Sequence, residues 1–76
     1  MQEPSVGRIV IFHLEEQYRH LNNDQTFAPA MITRVNDSQN VNLRVLVDSN
    51  TNPIHRTGVA MSEEMEPGQC WWPERK

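Results

Sequence analysis

Two features of the sequence have the residue types for ligand binding. One is a pair of adjacent tryptophans, Trp71 and Trp72, and the other is a positive charge that comes almost wholly from arginine. The 76 residues contain six arginines and one lysine. Arginine presents a planar fork that suits phosphates, carboxylates and stacked rings, while an indole ring stacks on nucleobases. Together they indicate an anionic ligand that contains an aromatic ring, although a skewed count in so short a chain is also compatible with chance.

The tryptophan pair lies in "QCWWP", residues 69–73, which reads as a short strand ended by Pro73. Neighbours on a strand point to opposite faces, so Trp71 and Trp72 cannot both enter the core. We expect Trp72 to pack in the core and Trp71 to meet a ligand or a second subunit, because tryptophan is enriched at binding hot spots. The alternative is that the fold itself wraps both rings.

Arg34 and Arg44 fall on neighbouring predicted strands, on the sides opposite those assigned to the core. We therefore expect both to project from one outer face with Asn42, as a cationic platform for phosphate or carboxylate. The alternative is a solvated strand face on which the arginines pair with Asp48 or a nearby glutamate.

His55 and Arg56 follow a predicted turn and are candidates for polar contacts with the same ligand. The three histidines have no spacing that singles out a base, a nucleophile or an orienting partner, so no enzyme is predicted. Cys70 has no neighbouring histidine or helix start to lower the pKa of its thiol, which favours a buried inert side chain. No Cys/His set has zinc spacing, so neither a metal nor a cofactor is predicted.

Short runs of β-branched and aromatic residues, separated by turn signals, predict an all-β fold. After a polar leader at 1–5, the chain predicts about five strands and a long loop before the second of them, with sequential strands pairing in a curled antiparallel meander or small SH3-like barrel. The expected strands are 6–14, 27–37, 41–48, 54–64 and 69–73, and the loop is 15–26.

Alternation within the strands assigns their faces. In "VNLRVLVD", residues 41–48, Val41, Leu43, Val45 and Val47 share one side, which predicts a central half-buried strand. In 27–37, the side with Met31, Thr33 and Val35 is assigned to the core. Pro29 predicts an edge or a bulge, and Gly58 predicts a bulge or bend. Pro67 and Gly68 occupy the positions that a type II turn favours.

Length and charge limit the class of protein. A chain of 76 residues is one domain, here 1–76, that buries only about 60% of its unfolded surface, so a supplement to the core is expected. A single cysteine excludes an intrachain disulfide, and no metal is predicted, so the supplement that we expect is homo-oligomerisation. A net charge of −3 argues against DNA or RNA binding, and the absence of a long apolar run or a leader peptide indicates a cytoplasmic protein with no membrane association.

Four segments resemble a widespread family of very small uncharacterised tailed-phage proteins. The family pattern runs V-G-R-I-V, A-x-V-T-x-V, V-N-L-x-V and G-x-W-H-W-P-E, and the matching segments here are "VGRIVIF", "APAMITRV", "VNLRVLV" and "PGQCWWPE". The resemblance covers nearly the whole chain, and its closing motif is the specific one. Cys70 stands where the family has its first aromatic residue and Trp71 where it has histidine, while Trp72, Pro73 and Glu74 match.

The resemblance implies a phage protein made in the cytoplasm of an infected bacterium, and it supplies no activity. By analogy with other very small phage proteins, it favours an anti-defence, immune-evasion role in which an oligomer sequesters a nucleotide second messenger of cyclic oligonucleotide or cyclic ADP-ribose type. Pockets for such ligands measure roughly 300 to 1,000 Å³, so we expect them between subunits. The alternative is an interaction module that docks on a host protein through its tryptophan-containing strand.

Overall fold

The computed structural model describes residues 3–48 and 53–73. Five strands and one 3₁₀ helix of seven residues, Glu16–Asn22, make up its regular structure. The strands are β1 (Ile9–His13), β2 (Phe27–Asp37), β3 (Asn40–Val45), β4 (Ile54–Ala60) and β5 (Cys70–Trp71).

The strands form one antiparallel sheet in the order β4-β3-β2-β1-β5. Each of the first four strands pairs with its sequence neighbour, and β5 returns to pair with β1. The sheet curls until the end of β4 approaches β5, where Met61 and Cys70 form a bridge and the Ser62 amide donates to the Cys70 carbonyl at 2.9 Å. The predicted fold class, a small curled all-β meander, is confirmed.

The core fills the concave side of this sheet, hereafter the inner face. Strand alternation supplies it, because every second residue of β1, β2 and β3 points inward. Val41, Leu43 and Val45 of β3 are fully buried, as their alternation predicts, and Val47 packs partly buried beside them. The remaining buried apolar residues are Val10, Phe12, Leu14, Ala28, Ala30, Ile32, Val59, Met61 and Cys70.

The face assignment for the first half of β2 is wrong. Ala30 and Ile32 are buried, whereas Met31 is 41% exposed. The register between β2 and β3 shifts between Ile32 and Arg34, so β2 has an extra residue there. Such a bulge reverses the alternation, which explains why Val35 turns toward the core while Arg34 stays outside.

β2 is an interior strand of the sheet, but Pro29 lies near its beginning, where the ladder with β3 has ended, which agrees with the edge position that the sequence predicts. It sits inside β2, between β1 and β3, opposite Ile11. Its carbonyl accepts a hydrogen bond from the Leu46 amide at 2.9 Å, so its nitrogen also faces β3. The ladder with β3 ends one residue earlier, at Ala30 and Val45. The missing N–H of proline therefore falls just beyond the paired region.

The predicted long loop at 15–26 contains the 3₁₀ helix, and a buried polar side chain anchors it. Asn22 is 3% exposed. Its amide nitrogen donates to the carbonyls of Gln25 and Phe27, and its amide oxygen accepts from the Asp48 backbone at 2.6 Å. One side chain thus joins the loop to the start of β2 and the segment after β3.

Two glycine predictions are confirmed where the backbone has positive φ. Gly58 (φ 62°) lies at a register shift between β3 and β4. Gly68 (φ 85°) follows Pro67 in a turn closed by a 2.9 Å bond from the Gln69 amide to the Glu66 carbonyl, the arrangement of a type II turn. The predicted turn at 49–52 and the first two residues of the predicted leader lie outside the described residues.

Candidate functional site

Both tryptophans line one pocket of about 300 Å³ at the seam of the curled sheet. Its other walls come from the β2–β3 turn and from the segment after β4. Hydrogen-bonding side chains from those two segments therefore face the indole rings. The lining residues are Ser38, Gln39, Met61, Ser62, Glu63, Trp71 and Trp72.

The local structure of β5 explains why two large rings remain partly accessible. Cys70 occupies the inward position opposite Phe12 and is fully buried, so Trp71 opposite Ile11 points outward. Trp72 follows the last strand residue. Both indoles are half-buried and pack against the edge of the core. Trp72, which was expected in the core, falls on the same side of the chain as Cys70 and packs against the core, but it is only partly buried.

Arg8 is a site residue that the sequence reasoning missed. Its guanidinium carbon lies 5.4 Å from the centroid of the Trp72 ring, within the range of a cation–π contact. The side chain of Arg8 is exposed. The resemblance offered a signal for it, since Arg8 belongs to the opening motif and Trp72 to the closing one, and the curled sheet brings these two motifs together.

The wall of the pocket that contains Ser62 and Glu63 is positioned by backbone hydrogen bonds and one imidazole. The Met61 amide donates to the Gln39 carbonyl at 2.9 Å, which joins this segment to the β2–β3 turn. Further along, Nδ1 of His13 donates to the Met65 carbonyl. A planar ligand stacked on an indole would therefore meet the hydroxyl, amide and carboxylate side chains that these two joined segments present.

Arg34, Arg44 and His55 lie together on the convex side of the sheet, hereafter the outer face. Arg34 is opposite Asn42 across β2 and β3, and Arg44 is opposite His55 across β3 and β4. The three cationic or titratable side chains are exposed, and we call them the basic corner. Among the described residues, none of the three lines the tryptophan pocket. The expected single site is thus divided between two places.

Asn42 stabilises the fold in its immediate surroundings. Its side-chain oxygen accepts hydrogen bonds from the Asn36 amide group at 2.9 Å and from the Gly58 backbone at 3.0 Å. The register shift near Gly58 leaves that amide without a ladder partner, and Asn42 supplies one. This engagement argues against a role in ligand contact.

Arg56 points away from the basic corner, because it is the strand neighbour of His55 and faces the inner side opposite Leu43. One of its terminal nitrogens lies 3.2 Å from a carboxylate oxygen of Glu15. Its guanidinium carbon lies 4.6 Å from the Tyr18 ring centroid. Arg56 therefore covers the core beneath the 3₁₀ helix and is engaged within the chain.

Cys70 is buried, as the sequence predicts. Burial raises the pKa of the Cys70 thiol to about 12, which keeps it protonated and unreactive near neutral pH. Within residues 3–48 and 53–73, no group of three or more His, Cys, Asp or Glu side chains is arranged to hold a metal ion. In the same residues, no helix is long and apolar enough to cross a membrane.

Comparison with known proteins gives no relative: the chain matches no protein-family model, no curated protein and no solved structure.

Proposed function

We propose that the protein binds and sequesters a nucleotide second messenger of bacterial immunity, without cleaving it, on behalf of a phage. The observation that carries this proposal is the tryptophan pocket. Two half-buried indoles line a space of about 300 Å³ together with the hydroxyl, amide and carboxylate side chains of Ser38, Gln39, Ser62 and Glu63. The phage setting comes from the sequence resemblance, and the ligand class from the chemistry of the pocket.

An indole offers a flat apolar surface on which any nucleobase stacks, worth about 1–3 kcal/mol per base. Ser38, Gln39 and Ser62 provide donors and acceptors for the edge of that base. Arg8 is close enough to Trp72 to meet a phosphate attached to the stacked nucleoside. These four polar side chains and the two rings form a complete set for one nucleotide.

The volume of the tryptophan pocket limits how much of a ligand one subunit can enclose. A pocket of about 300 Å³ is at the lower limit for small-molecule sites, which run from roughly 300 to 1,000 Å³. It accepts a base with part of its sugar, and a cyclic oligonucleotide extends beyond it. The rest of such a ligand would contact a second subunit, consistent with the homo-oligomer that the small core favours.

Intrinsic fluorescence is a direct assay, because the chain has two tryptophans and both line the pocket. We would titrate cyclic dinucleotides, cyclic trinucleotides and cyclic ADP-ribose isomers while recording tryptophan emission and the melting temperature. A stacked base should quench the emission, and a ligand at 100 times its Kd stabilises the fold by about 2.7 kcal/mol. Failure of every ligand to change both signals would refute nucleotide binding.

Two pairs of variants locate the site. Trp72→Ala should weaken binding at least about tenfold, and Trp72→Phe should restore most of it because a ring remains. Arg8→Ala should also weaken binding, whereas Arg34→Ala, which removes an equally exposed arginine from the basic corner, should leave it unchanged. Equal losses from the two arginine variants would place the phosphate elsewhere.

Sequestration and cleavage are separated by the fate of the ligand. After incubation, the protein would be heat-denatured and the released ligand weighed by mass spectrometry. Recovery of intact ligand supports sequestration. Recovery of a hydrolysed product at more than one equivalent per chain would show turnover and replace the non-catalytic proposal.

Docking on a host protein is the competing function, and one observation favours it. Trp71 lies half-buried on β5, a two-residue strand at the edge of the sheet, opposite the partly buried Ile11 of β1. If no nucleotide binds, immobilised protein should capture a bacterial partner from infected-host lysate, and Trp71→Ala should abolish that capture while Arg34→Ala does not.

A further inference from the structure

The outer face of the sheet is unusually apolar for a surface that faces water. Alternation along β1 and β2 directs Ile9, Ile11, Phe27, Pro29 and Met31 away from the core, and Leu46 joins them from the end of β3. We call these six residues the apolar face. Their backbone pairing places Ile9 beside Met31, and Ile11 beside Pro29.

Within the described chain, five of the six residues of the apolar face are exposed and Ile11 is partly buried. Four of the five large hydrophobic side chains that stand exposed belong to the apolar face, and the fifth is Val6 in the preceding turn. The exposed fractions are 52% for Phe27, 41% for Met31, 40% for Ile9 and 38% for Leu46. Contiguous apolar area on the order of a few hundred Å² marks an interaction site on a protein this small.

The tryptophan pocket borders the apolar face, because Trp71 lies opposite Ile11. It does not account for that face, since none of the six residues lines the pocket among the described residues. A monomer does not require it either, because the inner face already holds the core. The nearest charged side chains lie at its rim. Arg44 is opposite Met31, and Asp48 lies two residues beyond Leu46, toward the Phe27 end.

We infer that a second copy of the chain covers the apolar face, in a two-fold symmetric dimer with the two sheets packed face to face. Three observations favour a second copy over another occupant. The first is the extent of the patch, which runs without interruption across β1, β2 and the residue after β3 and so presents the broad sheet face that face-to-face packing buries. The second is the small core, which benefits from apolar surface buried by association.

The third observation is the complementarity of the face with itself. The side chains form three rows across the strands: Ile9, Met31 and Arg44; then Ile11, Pro29 and Leu46; then His13, Phe27 and Asp48. In the last row the side-chain amide of Asn22 lies between the backbones of Phe27 and Asp48 and bonds to both. A two-fold axis along the middle row exchanges the outer rows. Met31 of one copy then meets Phe27 of the other, and Arg44 meets Asp48.

This arrangement satisfies the requirements of an isologous interface. Apolar side chains meet at the centre, opposite charges meet at the rim, and the same patch serves both copies. The strands of the two sheets run close to parallel with each other, as in aligned sheet packing. A partner of uniform charge would leave either Arg44 or Asp48 without a counter-ion.

The first test measures mass against concentration by sedimentation or light scattering. The purified chain should change from one to two chain masses as its concentration rises. Met31→Glu should shift the dissociation constant at least about tenfold toward monomer. Val6→Glu is the matched control, since it places the same charge on an exposed apolar residue outside the strands, and it should behave as the wild type.

The second test addresses the orientation of the two copies. Arg44→Asp and Asp48→Arg, made separately, should each weaken the dimer by placing like charges across the interface. The double variant restores opposite charges and should recover dimerisation. Circular dichroism of each variant checks that the sheet is intact.

Three results would overturn the inference. One is a wild-type chain that stays monomeric at high concentration, including one that captures a host protein through this face. Another is a dimer that Met31→Glu leaves unchanged. The third is an additive loss in the double charge-swap variant, which would exclude the two-fold contact between Arg44 and Asp48. None of these depends on nucleotide binding, which the fluorescence assay reports separately.

Discussion

The two faces of the sheet are built from similar residue types and have opposite fates. Leu43 of β3 points to the inner face, pairs with Ile32 of β2 and is fully buried. Met31, which precedes Ile32 in β2, points to the outer face and is 41% exposed. Both are large and apolar. Hydrophobicity therefore does not decide which face becomes the core; the direction in which the sheet curls does. An apolar side chain left on the convex side is available for association.

Leu43→Ala and Met31→Ala should give the largest difference between the faces. Deleting a buried leucine side chain costs about 2–5 kcal/mol because it leaves a cavity, which is a large part of the stability of a 76-residue domain. Met31→Ala should change the stability of the dilute monomer by no more than about 0.5 kcal/mol. Urea denaturation at low protein concentration would measure both.

The same pair separates folding from association. When the protein concentration is raised, the denaturation midpoint of the wild type should rise, because a dimer stabilises the folded state by mass action. Met31→Ala should flatten that rise. A large loss from Met31→Ala in the dilute monomer would mean that the outer face also contributes to the core.

The inner face also contains a titrating group, which predicts a loss of stability in alkali. Burial raises the pKa of Cys70 from 9.0 to about 12. Above pH 9 the unfolded thiol loses its proton while the folded thiol keeps it, so the unfolded state binds fewer protons and stability falls as pH rises. The slope between pH 9 and 12 approaches about 1.4 kcal/mol per pH unit.

Comparison of wild type and Cys70→Ala isolates this contribution from other groups that titrate in alkali. Below pH 9 the alanine variant should be less stable because it lacks a buried side chain. From pH 9 to pH 11, the free energy of unfolding of the wild type should fall by about 2–3 kcal/mol relative to that of Cys70→Ala. A constant difference across this range would show that the folded thiol ionises as readily as the unfolded one.

The sequence predicted the inner face of β3 well and that of β2 poorly, and the reason is physical. Val41, Leu43 and Val45 alternate without interruption, and the period of two is sufficient to assign them. In β2 the bulge between Ile32 and Arg34 depends on pairing with β3, which is a property of two strands. No single-strand pattern reports it.

The candidate site shows the same limit. Trp71 and Trp72 were recognisable from residue type alone, but their pocket depends on the curl that brings the β2–β3 turn next to β5. Arg8 joins the site through that curl as well. Local sequence cannot predict which distant segments meet at the seam of a curled sheet, and for that reason it placed Arg56 in the site and omitted Arg8.

Replacing Asn22 would measure how much a buried polar side chain on the inner side contributes to the free energy of unfolding. Its three hydrogen bonds are all to backbone groups. Asn22→Ala should lower the free energy of unfolding by about 1–3 kcal/mol, because it leaves those groups without partners. Gln17→Ala, an exposed change in the same 3₁₀ helix, is the control and should have little effect. Hydrogen exchange should show faster opening of residues 16–26 in the Asn22 variant alone.

Arg56 gives the smallest expected effect and the finest distinction between the faces, because it is a charged residue on the inner side. Arg56→Met keeps an unbranched apolar side chain and removes the guanidinium from both the Glu15 carboxylate and the Tyr18 ring. Both partners are partly exposed, so the ion pair contributes no more than about 1 kcal/mol, and the variant also removes a buried Nε–H that has no partner. A double-mutant cycle with Glu15→Gln in urea should therefore give a small coupling energy, with nucleotide binding unchanged in Arg56→Met. A binding loss as large as that of Arg8→Ala would return Arg56 to the site and show that the inner side of the sheet is open to ligand.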